Sequence, residues 1–333
     1  MPDAIRWGIL ATGGIAAAFT EDLKTLPDAE VAAVCSRTPE SARRFAERFD
    51  IPRAHGSWKE LADDDAVDVV YVANTQNAHH EAAALMLESG KAVLCEKPFT
   101  LNLSQSESLV ELARERDLFL MEAMWMRCNP AVLRMVDLVD SGAIGPVTNV
   151  SADFSLAEPV DVDNRLRDPR RGGGGLLDLG VYPVTLAHLF LGPPSTIAAT
   201  GRLTPVGVDE VAGMVFGYES GAAAVLSCGI AADGPIVAAI SGPGGRIELD
   251  APFYAPSGFR LCRGARGKVD VQTFAHPYTG RGMVHEAVEV MRCMREGLLE
   301  SPLVPWQSTL DVMTTLDEVR RQLGVRYPGE SDG

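Results

Sequence analysis

The tripeptide Glu96-Lys97-Pro98 is the most informative feature of this sequence. It follows the apolar run 91–95, which predicts a short buried strand entered from Gly90. Residues just past the carboxyl end of such a strand face the ligand crevice of an open parallel sheet. The chain has only five lysines against 25 arginines. Because lysine can give up a proton in a protein and arginine cannot, a lysine retained here favours lysine chemistry over an ordinary turn.

A second pair of reactive side chains follows the run Gly172-Gly173-Gly174-Gly175, on a predicted helix over residues 176–191. Asp178 and Tyr182 are four residues apart, so they share one face of that helix. The glycines permit close backbone approach to a ligand or a neighbouring element. Pro183 predicts a bend that redirects Tyr182. In the alternative interpretation, Asp178 caps a helix and Tyr182 packs in an interface.

The N-terminal elements predict a nucleotide site. Residues 5–10 and 31–35 are predicted strands joined through a glycine-rich turn and a helix, which together form a βαβ unit. The turn is Ala11-Thr12-Gly13-Gly14-Ile15-Ala16. It matches the dinucleotide pattern G-x-G-x-x-G/A in part, with Ala11 at the first glycine, Gly13 at the second and Ala16 at the third. The backbone at Gly13 could approach a pyrophosphate bound by the amides of the helix start.

The end of the second strand predicts which dinucleotide binds. An NAD site usually places an acidic residue there to hold the ribose 2′-hydroxyl, whereas this chain has Ser36-Arg37-Thr38. A guanidinium and two hydroxyls suit a 2′-phosphate, which a carboxylate would repel. The alternative is a solvated loop in which Arg37 pairs with Glu40 or Glu21. We predict that NADP(H) is preferred and that NAD(H) also binds.

The alternation of elements predicts an α/β fold in two domains. Residues 1–124 form a Rossmann domain with a doubly wound parallel sheet. Residues 125–333 form an α+β domain for substrate binding and dimerisation, with a large, open-faced, mostly antiparallel sheet. Its predicted strands cover residues 147–156, 196–203, 211–218, 223–231, 237–241, 246–249, 259–262 and 269–274. Its predicted helices cover residues 176–191, 283–299 and 308–323.

Composition limits the partners. A formal net charge of −15 argues against nucleic acid or an anionic membrane. No apolar run reaches the length of a membrane span, and the N-terminus, residues 1–4, lacks a charged and apolar leader. The six cysteines are scattered without metal-ligand spacing, at Cys35, Cys95, Cys128, Cys228, Cys262 and Cys293. We therefore expect a cytoplasmic protein with reduced cysteines and no metal.

These motifs resemble those of the Gfo/Idh/MocA oxidoreductases, a family that includes glucose–fructose oxidoreductase and inositol dehydrogenase. The resemblance covers nearly the whole chain. It rests on WGILATGGIA, on Thr75 followed by His80, on Glu96-Lys97-Pro98 and on GGGGLLDLGVYP. Within the family, Ser36-Arg37, the segment 120–127 and Tyr182 look most like dimeric dihydrodiol dehydrogenases and NADP-dependent xylose dehydrogenases. The resemblance also implies a cis Lys97–Pro98 bond.

Together, the motifs and the resemblance define the candidate site. The predicted cofactor-binding residues are Ala11, Thr12, Gly13, Gly14, Ile15, Ser36, Arg37, Thr38, Asn74, Thr75, His80, Glu96 and Lys97. The place of His80 near the nicotinamide ribose is implied by the resemblance, and the neighbouring His79 is expected to be structural. The predicted substrate-binding residues are Trp125 and Phe154 as apolar walls, and Arg127, which orients substrate or stiffens the seam between domains.

A hydride transfer at a carbon bearing oxygen requires the protein to manage one proton and the charge on that oxygen. We predict that Lys97 holds and polarises the oxygen while Tyr182 exchanges its proton. A phenol with an ordinary pKa of about 10 is a poor base near neutrality, and a nearby ammonium makes its phenolate usable. Asp178 would orient Lys97 or bind a substrate hydroxyl.

The predicted function is an NADP-dependent dehydrogenase or reductase of sugars, polyols or trans-diols, with a neutral aldose favoured over an aromatic trans-diol. A reductase of a dicarbonyl or anhydro-sugar is an alternative, and a non-catalytic NADP-sensing regulator is an alternative of another class. A basic cluster is expected at a loop near the site entrance rather than at a phosphate site, and it comprises Arg165, Arg167, Arg170 and Arg171.

The open sheet predicts assembly. Its central strands carry small and apolar residues at adjacent positions, which suits burial on both sides of the sheet. These residues are Val211, Val215, Ala223, Val225 and Leu226. We therefore predict a homodimer formed through the open face of the C-terminal sheet, as the resemblance also implies.

Overall fold

A computed structural model of the chain describes residues 4–159, 161, 164–264 and 268–330. Residues 1–3, which contribute to the expectation about a leader, lie outside the described residues. The chain divides into two compact units. The first runs to Cys128 and includes Tyr278–Thr309, and the second comprises Asn129–Pro277 and the chain from Leu310 onwards.

The first unit alternates strands with helices, as predicted. Its elements are β1 (Ile5–Leu10), α1 (Gly14–Leu23), β2 (Ala29–Cys35), α2 (Pro39–Phe49), β3 (Arg53–His55), α3 (Trp58–Ala62), β4 (Val69–Val72), α4 (His79–Glu88), β5 (Ala92–Glu96), α5 (Leu103–Arg116) and β6 (Leu120–Ala123). The six strands are all parallel, in the order β3-β2-β1-β4-β5-β6. This confirms the predicted doubly wound sheet. The sequence does not predict β3, because its three residues are too few to show an apolar pattern.

The second sheet follows in the chain. The remaining elements are α6 (Pro130–Asp140), β7 (Asn149–Ser155), a π-helical turn (Leu176–Gly180), α7 (Val181–Leu191), β8 (Thr196–Leu203), β9 (Asp209–Gly217), β10 (Ala223–Gly229), β11 (Ala238–Gly242), β12 (Gly245–Leu249), β13 (Gly258–Arg263), β14 (Asp270–Ala275), α8 (Val284–Arg295) and α9 (Trp306–Leu323). Among the described residues, eight strands pair in the order β14-β13-β12-β11-β7-β10-β9-β8. Only the β7–β10 pair is parallel, so the predicted, mostly antiparallel sheet is confirmed.

Helix α6 is absent from the predicted elements, although its start carries a recognisable signal. The Asn129 side chain accepts a hydrogen bond from the Ala131 amide at 2.8 Å, and Pro130 occupies the first helical position. An asparagine cap followed by proline is a typical helix start.

The segment Tyr278–Thr309 packs with the first unit, although the sequence places it in the second domain, residues 125–333. The buried Asp22 carboxylate of α1 accepts backbone N–H groups of Arg281, Met283 and Val284 at 2.8–3.2 Å. The Trp306 indole N–H donates to the Leu120 carbonyl at 2.8 Å. Because these contacts join residues more than 180 positions apart, hydrophobic periodicity could not reveal them.

Helix α7 and the turns before it form the most apolar helical part of the chain. By length and composition, one helical stretch of the described residues, Pro169–Leu191, could cross a membrane, but 83% of its apolar window is buried inside the structure. The sequence alone suggests no apolar run of that length. A helix that is apolar on every side is typical of a protein core, and burial from Val181 to His188 agrees with this.

Candidate active site

The turn between β1 and α1 leaves open space in front of its glycines. A Cβ built on Gly13 or Gly14 would meet no atom within 4 Å, and the side chain of Ile15 is 40% exposed. Gly13 is the N-cap of α1, and no side chain bonds to the first-turn amides. Those amides and the positive end of the helix dipole therefore suit an anion such as a pyrophosphate. The residues present fit a dinucleotide.

Ala11, at the first glycine position, makes the tight turn itself with a φ of 114°. A residue with a Cβ rarely adopts this conformation, which costs of order 1–3 kcal/mol. We expect the change Ala11→Gly to raise the free energy of unfolding by about 1 kcal/mol, after the entropy that glycine adds to the unfolded chain. Urea denaturation measures the change.

The matched control for this prediction is Ala18→Gly, inside α1, where glycine should lower the free energy of unfolding by about 1 kcal/mol. If both variants lose stability equally, the backbone at Ala11 is not strained.

The end of β2 lies beside this turn. The Thr12 and Ser36 hydroxyl oxygens are 3.3 Å apart. The Thr38 hydroxyl caps α2 by accepting the Ser41 amide hydrogen at 3.3 Å. Arg37 is exposed and forms no ion pair with any residue that the structure describes.

The two carboxylates that could have paired with Arg37 are both engaged elsewhere. Glu21 pairs with Arg48 and Arg281, and Glu40 pairs with Arg43. The Arg37 guanidinium is therefore available to a ligand phosphate, which is the geometry that the NADP prediction needs.

The loop after β4 is held by His79. The Nδ1 atom of its buried ring lies 2.9 Å from the Pro98 carbonyl oxygen and Nε2 lies 3.2 Å from the Asn74 carbonyl oxygen, so the N–H of the neutral ring can donate to one of the two. This ring links the loop that carries Thr75 to the loop that carries Lys97. The sequence analysis expects His79 to be structural, and these contacts are of that kind. The ring of His80 instead points to α5, where Nε2 lies 3.0 Å from the Ser108 hydroxyl, so its contact with a ribose stays a prediction.

Burial lowers the pKa of His79 from 6.5 to about 4, although the Pro98 and Asn74 carbonyls oppose the shift. Between pH 6.5 and 4, the His79 ring is therefore protonated in the unfolded chain and neutral in the folded chain. Stability is fully present above pH 6.5 and falls as the pH decreases towards 4, by about 3 kcal/mol from this group.

We expect His79→Gln to flatten the dependence of urea midpoints on pH in this window, and His80→Gln to change it less.

Lys97 immediately follows β5, as predicted, and the Lys97–Pro98 bond is cis, as the resemblance implies. The buried carboxylate of Glu96 accepts the Lys97 amide hydrogen at 3.1 Å and a hydrogen bond from the Tyr71 hydroxyl. Glu96 thus fixes the backbone from which the half-buried Lys97 side chain extends. The sequence does not predict the hydrogen bond from Tyr71 to Glu96, because Tyr71 lies inside an apolar strand.

Arg127 points into the first unit rather than into open space. Its guanidinium donates to the Ser308 hydroxyl and faces the buried carboxylate of Glu122. Burial raises the pKa of Glu122 to about 7, against the hydrogen bond from Thr309 and the charge of Arg127. These contacts lie within the first unit, and both predicted roles of Arg127 stay predictions. Trp125 lies in the same turn, and a Cβ built on Gly282 would come within 3.1 Å of its ring.

In the second unit, Asp178 lies in the π-helical turn Leu176–Gly180 rather than at a helix cap. Its carboxylate, 9% exposed, receives the Arg165 guanidinium at 3.1–3.2 Å through both terminal nitrogens. Such a two-point contact fixes the plane of the carboxylate. Asp178 is therefore oriented as a hydrogen-bond acceptor. The sequence analysis misses this pairing, because Arg165 precedes Asp178 by 13 residues across irregular turns.

Tyr182, the second residue of α7, lies within a group of aromatic rings. Its ring centroid is 5.6 Å from that of Phe154 and 5.0 Å from that of Tyr254. The Phe154 and Tyr254 rings stack at 4.4 Å with an angle of 14° between their planes. The structure thus brings together two predicted site residues, Tyr182 and Phe154, and adds Tyr254, which sequence reasoning misses because no motif surrounds it.

The arginines of the predicted basic cluster pair with carboxylates of the second unit. Arg165 pairs with Asp178, Arg167 with Glu210, and both Arg170 and Arg171 with Asp168. The four guanidiniums share three carboxylates, so most but not all of the positive charge of the cluster is already paired. Over the ranges that the structure describes, no group of three or more His, Cys, Asp or Glu residues could hold a metal ion.

Two family models match this chain. One is described as an oxidoreductase family with an NAD-binding Rossmann fold and covers residues 5–124, and the other is the GFO/IDH/MocA C-terminal domain, over residues 132–248. The trans-1,2-dihydrobenzene-1,2-diol dehydrogenase of Mus musculus is 36% identical over 98% of this chain and 98% of its own length. The chain belongs to the Gfo/Idh/MocA oxidoreductase family. It is an NAD(P)-dependent oxidoreductase that acts on hydroxyl groups, as predicted.

Further relatives agree on this family. The enzyme of the same name from Xenopus laevis is 37% identical over 98% of this chain and its entire length (100%). A solved 3-ketoreductase from Actinomadura kijaniata, in complex with NADP and TDP-benzene, is 28% identical with a TM-score of 0.85, over 98% of this chain and 99% of its own.

The predicted site residues are distributed over both units. The first unit holds the cofactor-binding residues with Lys97, Trp125 and Arg127, and the second holds Asp178, Tyr182 and Phe154. We propose below which of these residues take part in the reaction.

Proposed function

We propose that this chain is an NADP-dependent dehydrogenase that oxidises a secondary alcohol of a six-membered ring carrying adjacent hydroxyls, either a pyranose sugar or a cyclic trans-diol. The observation that carries the proposal is the exposed Arg37 guanidinium, unpaired among described residues, beside the open glycine turn. It supports NADP over NAD, because a 2′-phosphate supplies the missing anion.

Lys97 and Tyr182 are proposed as the catalytic residues. When bound, the nicotinamide accepts the hydride from the carbon that bears the hydroxyl. The Lys97 ammonium binds the substrate oxygen and stabilises its developing negative charge, and the Tyr182 oxygen takes the hydroxyl proton. The products are a carbonyl group, the reduced nicotinamide and one proton. Asp178, held in place by Arg165, accepts a hydrogen bond from a neighbouring substrate hydroxyl.

The substrate class follows from two surfaces of the second unit. The rings of Phe154, Tyr182 and Tyr254 offer an apolar surface that suits the C–H face of a pyranose or the plane of a cyclohexadiene. The Asp178 carboxylate suits a second hydroxyl beside the reacting one. The relatives named trans-1,2-dihydrobenzene-1,2-diol dehydrogenase support a trans-diol, and the predicted neutral aldose shares the same pair of adjacent hydroxyls.

The deciding experiment measures NADPH formation at 340 nm with D-xylose, D-glucose, trans-dihydrobenzenediol and a sugar phosphate. We expect turnover of at least one neutral diol-containing ring and a poor kcat/KM for the phosphate. A strong preference for the sugar phosphate would contradict the prediction that the arginine cluster is not a phosphate site. Tight NADP binding with no turnover in either direction, dicarbonyl substrates included, would favour a regulator.

A homodimer through the open sheet face is proposed on the exposure of its valines. Val211, Val215 and Val225 are 40–51% exposed, and Val215 pairs directly with Val225 across β9 and β10. Leu226, which the sequence analysis names beside these valines, is 2% exposed and points to the other side of the sheet, so these strands carry apolar residues on both faces. Exposed apolar side chains in adjacent strands are typical of an interface.

We expect the double change Val215→Lys and Val225→Lys to convert a dimer to a monomer, because lysines opposite one another repel and resist burial. Light scattering at micromolar concentration measures the mass. Val206→Lys, at an exposed valine in the turn between β8 and β9, should leave the mass unchanged. A wild-type monomer would contradict the proposal.

A further inference from the structure

The glycine turn that precedes Asp178 and Tyr182 is held from one side by Asp209. This residue opens β9 and is fully buried. Its Oδ2 accepts the Leu176 amide hydrogen at 2.6 Å, at the first residue of the π-helical turn. Its Oδ1 lies against Gly174, whose φ is 125°, and a Cβ at that glycine would overlap the oxygen. Only glycine therefore fits where the turn passes this carboxylate.

Burial raises the pKa of Asp209 to about 6, while the amides of Leu176, Asp209 and Gly175 oppose the shift. The hydrogen bond from the Leu176 amide to the buried Oδ2 of Asp209 anchors the first residue of the π-helical turn to β9.

The same turn is held from the other side by the C-terminal segment. The buried Tyr327 hydroxyl donates to the Gly173 carbonyl at 2.8 Å. Tyr327 is fixed in turn, because its amide donates to Glu330 at 2.9 Å and the Arg320 guanidinium lies 5.0 Å from its ring centroid. Arg320 also binds both oxygens of Glu330 at 2.9–3.0 Å.

The close packing of the neighbouring glycines leaves this turn little freedom. A Cβ at Gly173 would come within 2.8 Å of the Arg165 and Leu166 carbonyl oxygens, and one at Gly180 within 2.7 Å of the Cys228 sulfur. Close packing against neighbouring elements therefore accounts for the glycines at positions 173 and 174. Because α7 continues directly from the π-helical turn, the position of Gly173–Leu176 sets the position of Tyr182.

We infer that Asp209 and Tyr327 are positioning residues for Tyr182, which act on it through the glycine turn. Neither is a predicted site residue, and they lie 27 and 145 positions after Tyr182 in the chain. The inference rests on the catalytic role proposed for Tyr182. Displacement of a reacting group by a fraction of an ångström lowers the rate without preventing the fold.

The experiment is a double-mutant cycle between Tyr327→Phe and Tyr182→Phe, with kcat and the dissociation constant of NADP measured for each variant. Tyr327→Phe keeps the ring and removes only the hydrogen bond to the turn. We expect it to lower kcat roughly 3- to 10-fold in the wild-type background, with NADP affinity unchanged. In the Tyr182→Phe background the same change should lower kcat less than twofold, because the group that it positions is absent.

Asp209 is tested by two variants. Asp209→Asn retains an oxygen that can accept the Leu176 amide hydrogen, so it should keep more activity than Asp209→Ala, which leaves that amide unpaired. The matched control is Thr315→Val, which removes a buried hydrogen bond of 2.9 Å to His188 on the same helix α7, beyond Tyr182. It should keep kcat within twofold of the wild type.

The possible outcomes distinguish the catalytic role of Tyr182 from the positioning role of Asp209 and Tyr327. Near-normal turnover of Tyr182→Phe alone would refute the catalytic role proposed for Tyr182, on which the positioning role depends. A large loss in Tyr182→Phe with no effect of Tyr327→Phe, or equal fold-losses from Tyr327→Phe in both backgrounds, would overturn the positioning role and leave the proposed function standing.

Discussion

Replacement of Lys97 by methionine is expected to lower kcat about 10²- to 10⁴-fold, the range that a positioned acid–base or charge-stabilising group contributes. Methionine keeps the length of the side chain and removes the ammonium. Lys97 follows β5 directly, and its backbone is fixed by Glu96, so the variant should fold. Steady-state kinetics on the best substrate of the panel, with NADP saturating, measures the effect.

The dissociation constant of NADP separates chemistry from cofactor binding in this variant and should change little. Lys59→Met, on the exposed helix α3, makes the same substitution away from the candidate site and should leave kcat unchanged. Near-normal turnover of Lys97→Met would remove Lys97 from the mechanism. A parallel loss of NADP affinity would instead assign it to cofactor binding.

Replacement of Arg37 by alanine is expected to weaken NADP binding roughly 10- to 100-fold, since hydrogen bonds to charged groups are worth about 1.5–3 kcal/mol. NAD binding should change less than twofold, because NAD lacks the 2′-phosphate. Fluorescence titration with NADPH and NADH measures both affinities. Because the contact is exposed, the NADP affinity should also fall as salt concentration rises.

Arg43→Ala is the matched control, since Arg43 is an exposed arginine on the neighbouring helix α2 and pairs with Glu40. It should leave both affinities unchanged. If Arg37→Ala weakens NADP and NAD equally, Arg37 is structural and the cofactor preference arises elsewhere.

Local patterns account for most of the elements that position the site. Strand β8 has the predicted bounds, because the run Gly192-Pro193-Pro194 marks its start. The strands β1, β2 and β5 are short apolar runs that end at turn residues, so the sequence predicts that the glycine turn, Arg37 and Lys97 follow strand ends. Residues beyond the carboxyl ends of parallel strands share one edge, which makes this part of the site predictable.

The contacts that tune these residues could not be predicted in the same way. Arg165 reaches Asp178, Tyr327 reaches Gly173, and Tyr254 stacks on Phe154, each across many residues with no periodic signal. Hydrophobic periodicity reports which face of an element is buried, but it does not report what lies against that face. The glycine run shows the same limit, because the sequence shows that these residues are small but does not show which elements pack against them.

Because Tyr278–Thr309 packs with the first unit, that unit cannot be completed until this late segment of the chain has been synthesised. A ribosome that adds 5–20 residues per second needs roughly 10–35 s to pass from Cys128 to Thr309. During that time the nascent Rossmann strands are complete, but Asp22 lacks the amides of residues 281–284, and the Leu120 carbonyl lacks the Trp306 indole. The nucleotide-binding unit is therefore completed only after the strands β7–β14, which are encoded between its two segments, have been synthesised.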